Sequence, residues 1–440
     1  MRTTLKLSKL FVIILALAVI ISSCKKTDYR KTASIQSDVN LNDASVALDW
    51  YKLQLKLLLE RNSTLNGAFF GYLGIGLYES VQPGIKNAKS LSSVLYQMPQ
   101  MPQKQNNEGY NWKISANAAM ASLLKSFNSG LTSANLATID SLENAYYQKL
   151  KPGNGTVFER SKAFGQSVAA AVRAWSLTDN FNPSNAGYVY PVFDGGWVPT
   201  PPAYVNPPVL PFLSSARPLC AFNVNVIADA PPFTYSEDPS SDFYLMAKEV
   251  YDVSQSLTQE QQNIALFWVD QGNNSGFTPP GHDFSLLLQA LENKGADLAV
   301  AAETLAKAGI AERDATIVCF ATKYTYNRIR PVSYIQNVID NSWLPFIGTP
   351  PHPEYPAAHA FITGTVMKAA EKVLGHTSIT DHTYDFKGWT ARSYNSLFDA
   401  AREAGISRLY GGIHYRPSIE IGLALGDELG ARIGELDLTE

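Results

Sequence analysis

The feature that most constrains the fold of this chain is the crowding of proline between residues 181 and 239. This stretch holds 12 of the 25 prolines in the 440-residue sequence. Because proline fixes φ and lacks an amide donor, no continuous helix can cross the stretch. It also carries aromatic side chains that a disordered linker usually lacks, among them Tyr190, Phe193, Trp197, Phe212 and Phe222. We therefore predict a long ordered loop that wraps onto the protein.

Apolar residues at helical spacing dominate the chain on both sides of this loop, and strand alternation is nearly absent. Spacing, caps and breakers predict helices at 43–60, 65–78, 114–127, 134–150, 157–177, 242–257, 259–270, 284–294, 296–326, 357–374, 389–410 and 419–436. The predicted fold is all-α, with two packed helical bundles. An N-terminal half at 43–180 and a C-terminal bundle at 240–440 are expected to form one structural unit.

Charge and composition exclude two broad classes of protein. Lys and Arg total 36 against 39 Asp and Glu, so the formal net charge is −3. This balance provides no broad basic surface of the kind that binds nucleic acid, and we expect no nucleic-acid partner. With 45% hydrophobic residues, the chain is also too apolar to be disordered.

The N-terminus has the pattern of an export signal. Arg2, Lys6 and Lys9 precede an apolar run at 10–21 that is too short to span a bilayer. Small residues then lead to Cys24, which resembles the lipobox of bacterial lipoproteins. We expect a signal peptide at 1–23, lipidation of Cys24 and a flexible tether at 24–42.

The expected location is therefore the bacterial cell envelope, on the periplasmic or outer-membrane surface, with the lipid as the only membrane contact. A cleaved soluble export signal, in which Cys24 is incidental, is the alternative. The sequence leaves open which membrane face carries the anchor and which oligomeric state the protein adopts.

A first cluster of cationic residues lies in Lys-Tyr-Thr-Tyr-Asn-Arg-Ile-Arg-Pro at 323–331. Lys323 and Arg330 are seven residues apart, which places both on one side of a helix that Pro331 is expected to end. A Lys/Arg pair at this spacing is also typical of a solvated surface.

A second motif, Pro-Pro-His-Pro-Glu-Tyr-Pro-Ala-Ala-His-Ala, occupies 350–360. Pro356 suits the first helical position, which would leave the amides of Ala357 and Ala358 free beside His359. A helix N-terminus that carries an imidazole can bind an anion and protonate it. A capped helix with a buried structural histidine is the alternative.

A third motif, Ser-Arg-Leu-Tyr-Gly-Gly-Ile-His-Tyr-Arg-Pro-Ser, occupies 407–418. Arg408 is expected to point inward from its helix, and His414 can present a nitrogen to the same centre. The following helix has a glycine every four residues, which predicts close packing on a neighbour, at Gly422, Gly426 and Gly430.

In this order, Lys-x6-Arg-Pro, Pro-x-x-His and Ser-Arg-x3-Gly-x-His resemble the motifs of vanadium-dependent haloperoxidases and their relatives, the type 2 phosphatidic-acid phosphatases. The likeness extends to residues 67–80, to the Trp-Val-Pro-Thr-Pro-Pro loop and to 267–282, and so covers most of 41–440. This coverage favours the haloperoxidase branch over the compact phosphatases. The resemblance implies a haloperoxidase-like fold with vanadate as cofactor, in a site that phosphate can also occupy.

The resemblance also implies individual roles. The residues that it places around the oxyanion are Lys323, Arg330, Ala357, Ala358, Arg408, Gly412 and His414. His414 would be the axial vanadate ligand, or the nucleophile of a phosphatase, and His359 the acid and base. Lys323 would polarise bound peroxide.

Two further residues have a role by resemblance and an alternative. The resemblance implies that Asp270 orients Arg408. The alternative is a carboxylate at a helix end that faces solvent. His352 lies seven residues before His359, where bromoperoxidases have histidine and chloroperoxidases an aromatic residue. By this resemblance, His352 implies a preference for bromide or iodide over chloride. The alternative is a loop histidine that makes a structural hydrogen bond.

Two positions depart from the family pattern. Ala357 replaces a serine whose hydroxyl would donate to the oxyanion, at a cost of about 1.5–3 kcal/mol of anion binding. Ser418 stands four residues after His414, where many relatives have an aspartate that pairs with the histidine. Glu420 is two residues too far along to replace it simply. Without a carboxylate the imidazole is a weaker nucleophile towards phosphorus, although it can still coordinate a metal oxyanion.

The sequence therefore predicts an enzyme that uses vanadate and hydrogen peroxide to oxidise halide, with small organic molecules as further substrates. An acid phosphatase that forms a phosphohistidine is the first alternative. A surface lipoprotein that binds an oxyanion without catalysis is the second.

Overall fold

The computed structural model describes residues 41–61, 67–128, 130–150, 155–271 and 276–440. The predicted signal peptide, Cys24 and the tether up to residue 40 lie outside the described residues. Within the described ranges, no helix has both the length and the apolar content needed to span a membrane.

Five helices form the N-terminal half: α1 Ser45–Arg61, α2 Gly67–Val81, α3 Trp112–Phe127, α4 Ser133–Leu150 and α5 Gly155–Ser176. The side chain of Asn111 caps α3 by accepting from the amides of Lys113 and Ile114. Helix α5 lies directly on α3 at Gly165, where a Cβ would come within 2.1 Å of the Ser115 carbonyl oxygen.

Eight helices and two short strands follow: α6 Asp242–Gln255, α7 Gln259–Phe267, α8 Pro279–Asn293, α9 Leu298–Tyr326, α10 Pro331–Val338, α11 Ala358–Leu374, β1 Ile379–Asp381, β2 Arg392–Tyr394, α12 Leu397–Tyr410 and α13 Arg416–Gly434. Strands β1 and β2 pair antiparallel, with Ile379 opposite Tyr394. The predicted all-α fold of packed helices is confirmed.

The long helix α9 is where the two halves meet. A Cβ at Gly74 in α2 would lie 2.4 Å from the carbonyl oxygen of Leu305, and one at Gly309 would lie 2.4 Å from that of Phe70. Glycine therefore lets α2 and α9 pack backbone against backbone. The described residues from 41 onward belong to one compact unit.

The Pro-rich stretch lacks α-helix and contacts the C-terminal half of α9. Leu219 and Cys220 donate their amides to the carboxylate of Asp314, at 2.6 and 2.9 Å. Trp197 is fully buried, and its amide donates to the Asn327 carbonyl at 2.6 Å. Phe193, expected to be an anchor, is instead 48% exposed. The ordered loop is confirmed, with a smaller set of apolar anchors.

The prediction that one helix carries both Lys323 and Arg330 is wrong. Helix α9 ends at Tyr326 because Asn327 takes a left-handed conformation with φ of 44°, a conformation that asparagine tolerates. Arg330 is the N-cap of α10, so Pro331 begins a helix instead of ending one.

Other predicted helix boundaries also differ from the structure, three of them at segments that carry the motifs. Helix α7 stops at Phe267, before Asp270. Helix α11 begins at Ala358, so Pro356 precedes the helix. The helix expected from 389 begins only at Leu397, because residues 392–394 pair with β1.

The glycine ridge of α13 packs closely on α11, as predicted. A Cβ at Gly426 would lie 2.9 Å from the Phe361 carbonyl oxygen and 3.0 Å from the Cα of Gly364. Because backbone atoms surround it, neither helix can make room by turning a side chain.

We expect Gly426→Val to lower the free energy of unfolding by about 1–3 kcal/mol, since the added atoms must separate α11 and α13. Gly155→Ala is the matched control, because a Cβ there meets nothing within 4 Å. It should change stability by less than about 1 kcal/mol. Urea-induced unfolding measures both variants, and equal stabilities would contradict the close packing.

Candidate active site

The guanidinium of Arg330 joins the segments that carry the three predicted motifs. The side chain is fully buried, and its Nε donates to the carbonyl of His352 at 2.8 Å. Its Nη1 donates to the carbonyl of Ile413 at 2.8 Å and to Nε2 of His414 at 3.1 Å. The turn at Asn327 thus brings Arg330 against the loops that precede α11 and α13.

Lys323 is buried in the last turn of α9, and a single loop uses its ammonium donors. Nζ donates to the carbonyls of Pro353, Glu354 and Pro356 at 3.0, 2.9 and 2.6 Å. Burial lowers the pKa of Lys323 to about 7, with a further contribution from Arg330. Lys323 therefore holds this loop in place. Towards an anion it offers its positive charge, because its hydrogen-bond donors are already used by the loop.

Arg408 reaches the site from α12. Its Nε donates to the hydroxyl of Ser407 at 2.9 Å, and its Nη2 donates to the carbonyl of Trp268. Its other amino group, Nη1, has no hydrogen-bond acceptor among the residues that the structure describes. This donor remains available to an oxygen of a bound anion.

These three buried cations have no close counter-ion. Across the described ranges, no carboxylate oxygen lies within 4.0 Å of the charged nitrogens of Lys323, Arg330 or Arg408. The buried Arg313, by contrast, pairs with Asp179 at 2.8 Å. A buried charge without a partner is costly, and burial lowers the pKa values of Arg330 and Arg408 to about 10. The donor set therefore suits a multiply charged anion.

Both ring nitrogens of His414 have partners that fix its tautomer. A guanidinium only donates, so Nε2 accepts from Arg330 and carries a lone pair. Nδ1 then carries the hydrogen and donates to Oε1 of Glu354 at 2.8 Å. Burial, together with Arg330 and Lys323, holds the pKa of His414 well below its usual range. This neutral form is the one in which Nε2 can coordinate a metal oxyanion.

Glu354 supplies the carboxylate that the sequence analysis expected to be missing at Ser418. Its Oε1 also accepts from the amide of Tyr415 at 3.2 Å, and its Oε2 accepts from the hydroxyl of Ser418 at 2.7 Å. Glu420 is exposed on α13. The expectation that His414 lacks a carboxylate partner is wrong, because the partner comes from the loop before α11. The available signal was a single acidic residue inside the second motif.

His359, in the first turn of α11, lies beside Asp270. Its Nε2 is 3.3 Å from Oδ2 of Asp270, without the alignment of a hydrogen bond. Burial and Arg408 lower the pKa of His359 to about 4, although Asp270 opposes them. The imidazole is therefore neutral near pH 7 and can accept a proton.

The backbone amides expected to bind the anion differ in availability. The amide of Ala357 donates to the Ser418 carbonyl at 3.2 Å, and that of Gly412 donates to the Leu409 carbonyl at 2.9 Å. The expectation of a free amide at Ala357 is therefore wrong. Ala358 is the first residue of α11, and in the described ranges its amide has no backbone acceptor. It is the amide that the geometry leaves for an anion.

His352 is buried at the edge of the same cluster. Its Nδ1 lies 3.0 Å from Nη2 of Arg330, and its ring centre lies 5.3 Å from that of Phe320. Burial, with Lys323 and Arg330, holds its pKa well below the usual range. Nδ1 also lies 3.1 Å from the carbonyl oxygen of Pro353, which can only accept, so these two contacts do not fix the tautomer of the ring.

Sequence reasoning assigned no role to His282, which the structure places between two carboxylates. Its Nδ1 lies 2.9 Å from Oδ1 of Asp270 and its Nε2 lies 2.8 Å from Oδ2 of Asp381. Burial alone would lower the pKa of His282, but the two carboxylates outweigh it and raise the pKa to about 10. The indole of Trp268 stacks on the ring at 4.2 Å. His282 is therefore a buried cation, and its distant partner Asp381 left no pattern in the sequence.

Asp270 is at the centre of this second cluster. Its Oδ1 also accepts from the hydroxyl of Tyr384 at 2.6 Å. It makes no hydrogen bond to Arg408 within the described residues, although its charge raises the pKa of that arginine. Asp270 is therefore buried near Arg408 without a direct bond to it.

The protein has an all-α fold whose packed helices bring three buried cationic side chains together, and it is similar to proteins of known structure. The profile of the VCPO second helical-bundle domain matches residues 303–436. A bacterial vanadium-dependent iodoperoxidase is similar with a TM-score of 0.80 and 30% identity, over 91% of this chain and 98% of that chain. The chain belongs to the vanadium-dependent haloperoxidase family.

More distant structures share the fold. The apo form of a bacterial vanadium-dependent chloroperoxidase has a TM-score of 0.58 and 15% identity, over 84% of this chain and 93% of that chain. A holo form of a bacterial vanadium-dependent chloroperoxidase has a TM-score of 0.58 and 14% identity, over 90% and 94%. No curated protein sequence matches this chain significantly.

We expect His282→Gln to lower the free energy of unfolding by about 3–5 kcal/mol near pH 6, because Asp270 and Asp381 lose the cation between them. Folding raises the pKa of His282, so the protonated ring stabilises the folded protein fully below about pH 6.5. This stabilisation is lost as the pH rises through about 10. The difference between wild type and variant should therefore shrink from pH 6 to pH 10. Urea-induced unfolding at several pH values measures it.

The control for this experiment is His382→Gln, which removes an exposed histidine that pairs with Asp385 at 2.9 Å. It should change stability by less than about 1 kcal/mol. A similar effect of both replacements would rule out the buried cation.

Proposed function

We propose that this protein oxidises iodide or bromide with hydrogen peroxide at a vanadate site. The observation that carries the proposal is the group of three buried cations without a close carboxylate, gathered around a histidine whose Nε2 has a lone pair. Vanadate carries several negative charges and accepts hydrogen bonds, so it fits these donors. In the described ranges, no group of three or more His, Cys, Asp or Glu could hold a bare metal ion.

The residues that would hold vanadate follow from this geometry. Arg330, Arg408 and the amide of Ala358 would donate to its oxygens, and Lys323 would add charge. His414 would coordinate it through Nε2 once the Nη1 donor of Arg330 moves from that nitrogen to an oxygen of the anion. When bound, vanadate would supply a Lewis acid that activates peroxide towards halide.

The proton chemistry is assigned to His359. Its imidazole is neutral near pH 7, so it can take a proton from hydrogen peroxide as the peroxide binds. Asp270 lies 3.3 Å from Nε2 of His359 and would stabilise the imidazolium that results. Asp270 itself stays ionised, because His282 outweighs the effect of burial and keeps the pKa of Asp270 well below its usual range.

The preference for iodide or bromide rests on two observations. The similar structure at 30% identity is that of an iodoperoxidase. His352, at the position that the family resemblance connects with halide choice, is held by Arg330 at 3.0 Å. Small organic molecules would react with the oxidised halide after its release.

We expect His414→Ala to lower vanadate-dependent iodide oxidation by more than about 100-fold, because removing a direct ligand exceeds the 10–100-fold effect of outer partners. The wild type should oxidise iodide and bromide faster than chloride in the same assay. The matched control is His376→Ala, an exposed histidine beyond the end of α11, which should keep the activity. Unchanged turnover in His414→Ala would overturn the assignment.

A phosphatase is the second candidate, and the position of Glu354 favours it. A carboxylate that accepts from Nδ1 makes the other nitrogen of His414 more nucleophilic, as attack on phosphorus requires. His359 would then protonate the leaving alcohol. Hydrolysis of p-nitrophenyl phosphate by vanadate-free protein, with inhibition by added vanadate, would support this reaction. Tight vanadate or phosphate binding without either activity would support a non-catalytic lipoprotein.

We further propose that the protein is exported and attached to the cell envelope through lipid on Cys24. This proposal rests on the sequence pattern at 1–24. Cys24→Ser should move the protein from the membrane fraction to the soluble fraction, because no acyl chain can be added at serine by the same route. Cell fractionation and labelling with a fatty acid measure the change, and an unchanged distribution would contradict the anchor.

A further inference from the structure

We propose that Glu354 is a positioning residue for His414, and that it replaces, from a different segment, the aspartate that relatives carry at position 418. Glu354 lies on the loop before α11, whereas His414 and Ser418 flank the start of α13. The inference rests on the proposed function, because it assigns the ligand role to Nε2 of His414.

The hydrogen bonds of Glu354 fix the imidazole from behind. Its Oε1 accepts from Nδ1 of His414 at 2.8 Å and from the amide of Tyr415 at 3.2 Å. One carboxylate oxygen thus bonds both the ring and the backbone beside it. Ring rotation would break the first bond and leave a buried N–H without a partner. Nε2 is therefore directed to the opposite side, where Arg330 donates to it.

Ser418 completes this arrangement from the position where relatives carry the acid. Its hydroxyl donates to Oε2 of Glu354 at 2.7 Å, and its carbonyl accepts from the amide of Ala357 at 3.2 Å. Residue 418 therefore reaches the same carboxylate that His414 reaches. An aspartate there would bring a second carboxylate close to Glu354, and two buried carboxylates repel each other.

The loop that carries Glu354 is itself held by a cation. Lys323 is buried away from solvent, and its ammonium group donates to the carbonyls of Pro353, Glu354 and Pro356. The backbone of the glutamate is thereby fixed relative to α9. A carboxylate on a rigid backbone orients a ligand more accurately than one on a mobile loop.

The proposal predicts different effects on two oxyanions. Vanadate would bond to Nε2 of His414, whereas phosphate in the same cavity would be held by the cations alone. Glu354→Gln should therefore weaken orthovanadate binding by about 10–100-fold, the usual effect of losing an outer partner of a metal ligand. It should leave phosphate binding unchanged or stronger, because the variant removes one negative charge near the cations.

The test measures dissociation constants of orthovanadate and inorganic phosphate by titration calorimetry for four proteins: wild type, Glu354→Gln, Ser418→Asp and the double variant. The double variant should regain most of the lost vanadate affinity, because Asp at 418 returns a carboxylate to His414. Ser418→Asp alone should bind vanadate more weakly, since two buried carboxylates would then repel each other beside His414. Nitrogen-resolved NMR of the vanadate-free protein should show the Nδ1–H form of His414 in wild type and in the double variant.

Glu79→Gln is the matched control, because Glu79 is another buried glutamate that accepts from a backbone amide, that of Leu91 at 2.6 Å, in the N-terminal half. It should leave both dissociation constants unchanged. Equal weakening of vanadate and phosphate by Glu354→Gln, without recovery in the double variant, would show a purely structural role. No change in either constant would also overturn the proposal.

The two proposals fail in different ways. Vanadate binding that depends on Glu354, in a protein without halide oxidation, would remove the proposed activity and keep the positioning role. Halide oxidation and vanadate affinity that both survive Glu354→Gln would remove the positioning role and keep the activity. A wild type that does not bind vanadate would overturn both.

Discussion

The buried guanidinium of Arg330 is the interaction on which the rest of the site depends. It bonds the backbone of the loop before α11 at His352 and the backbone of the loop before α13 at Ile413, and it reaches the ring of His414. Both loops are irregular, so their carbonyl oxygens lack the hydrogen bonds that they would accept inside a helix. A planar group with five donors can satisfy several of them at once, which a lysine at this position could not do.

The same cation sets the state of the histidines around it. His352 and His414 touch Arg330, and burial with neighbouring positive charge keeps both neutral. His282 shares the carboxylate of Asp270 with His359. Asp270 and Asp381 hold His282 in the charged form. One residue type thus has opposite charge states within one bundle, because its neighbours differ in sign. The neutral rings lie against Arg330, and the charged ring lies between the carboxylates of Asp270 and Asp381.

The sequence predicted the elements and the motif residues better than the contacts between them. The helical spacing of apolar residues was sufficient to predict α9, α11 and α13, and the glycines of α13 indicated its close packing on α11. The predicted helix at 296–326 ends where α9 ends, but the placement of Arg330 on that helix failed, because Asn327 takes a left-handed conformation there. The bond of His282 to Asp381 joins residues 99 positions apart, a contact that no local pattern records.

Glu354 shows why residue spacing alone was misleading for the site. Side chains four residues apart share a helix face, so helical spacing predicts the carboxylate at position 418, but His414 lies before the start of α13. A carboxylate on another segment can meet the same nitrogen, provided that its own backbone is fixed, and Lys323 fixes it through three carbonyl bonds. Under the proposed function, Lys323 would act on the anion through its charge and on His414 through the loop that it holds. A carboxylate thus meets Nδ1 of His414 and leaves the lone pair on Nε2, although it comes from a different segment than helical spacing predicts.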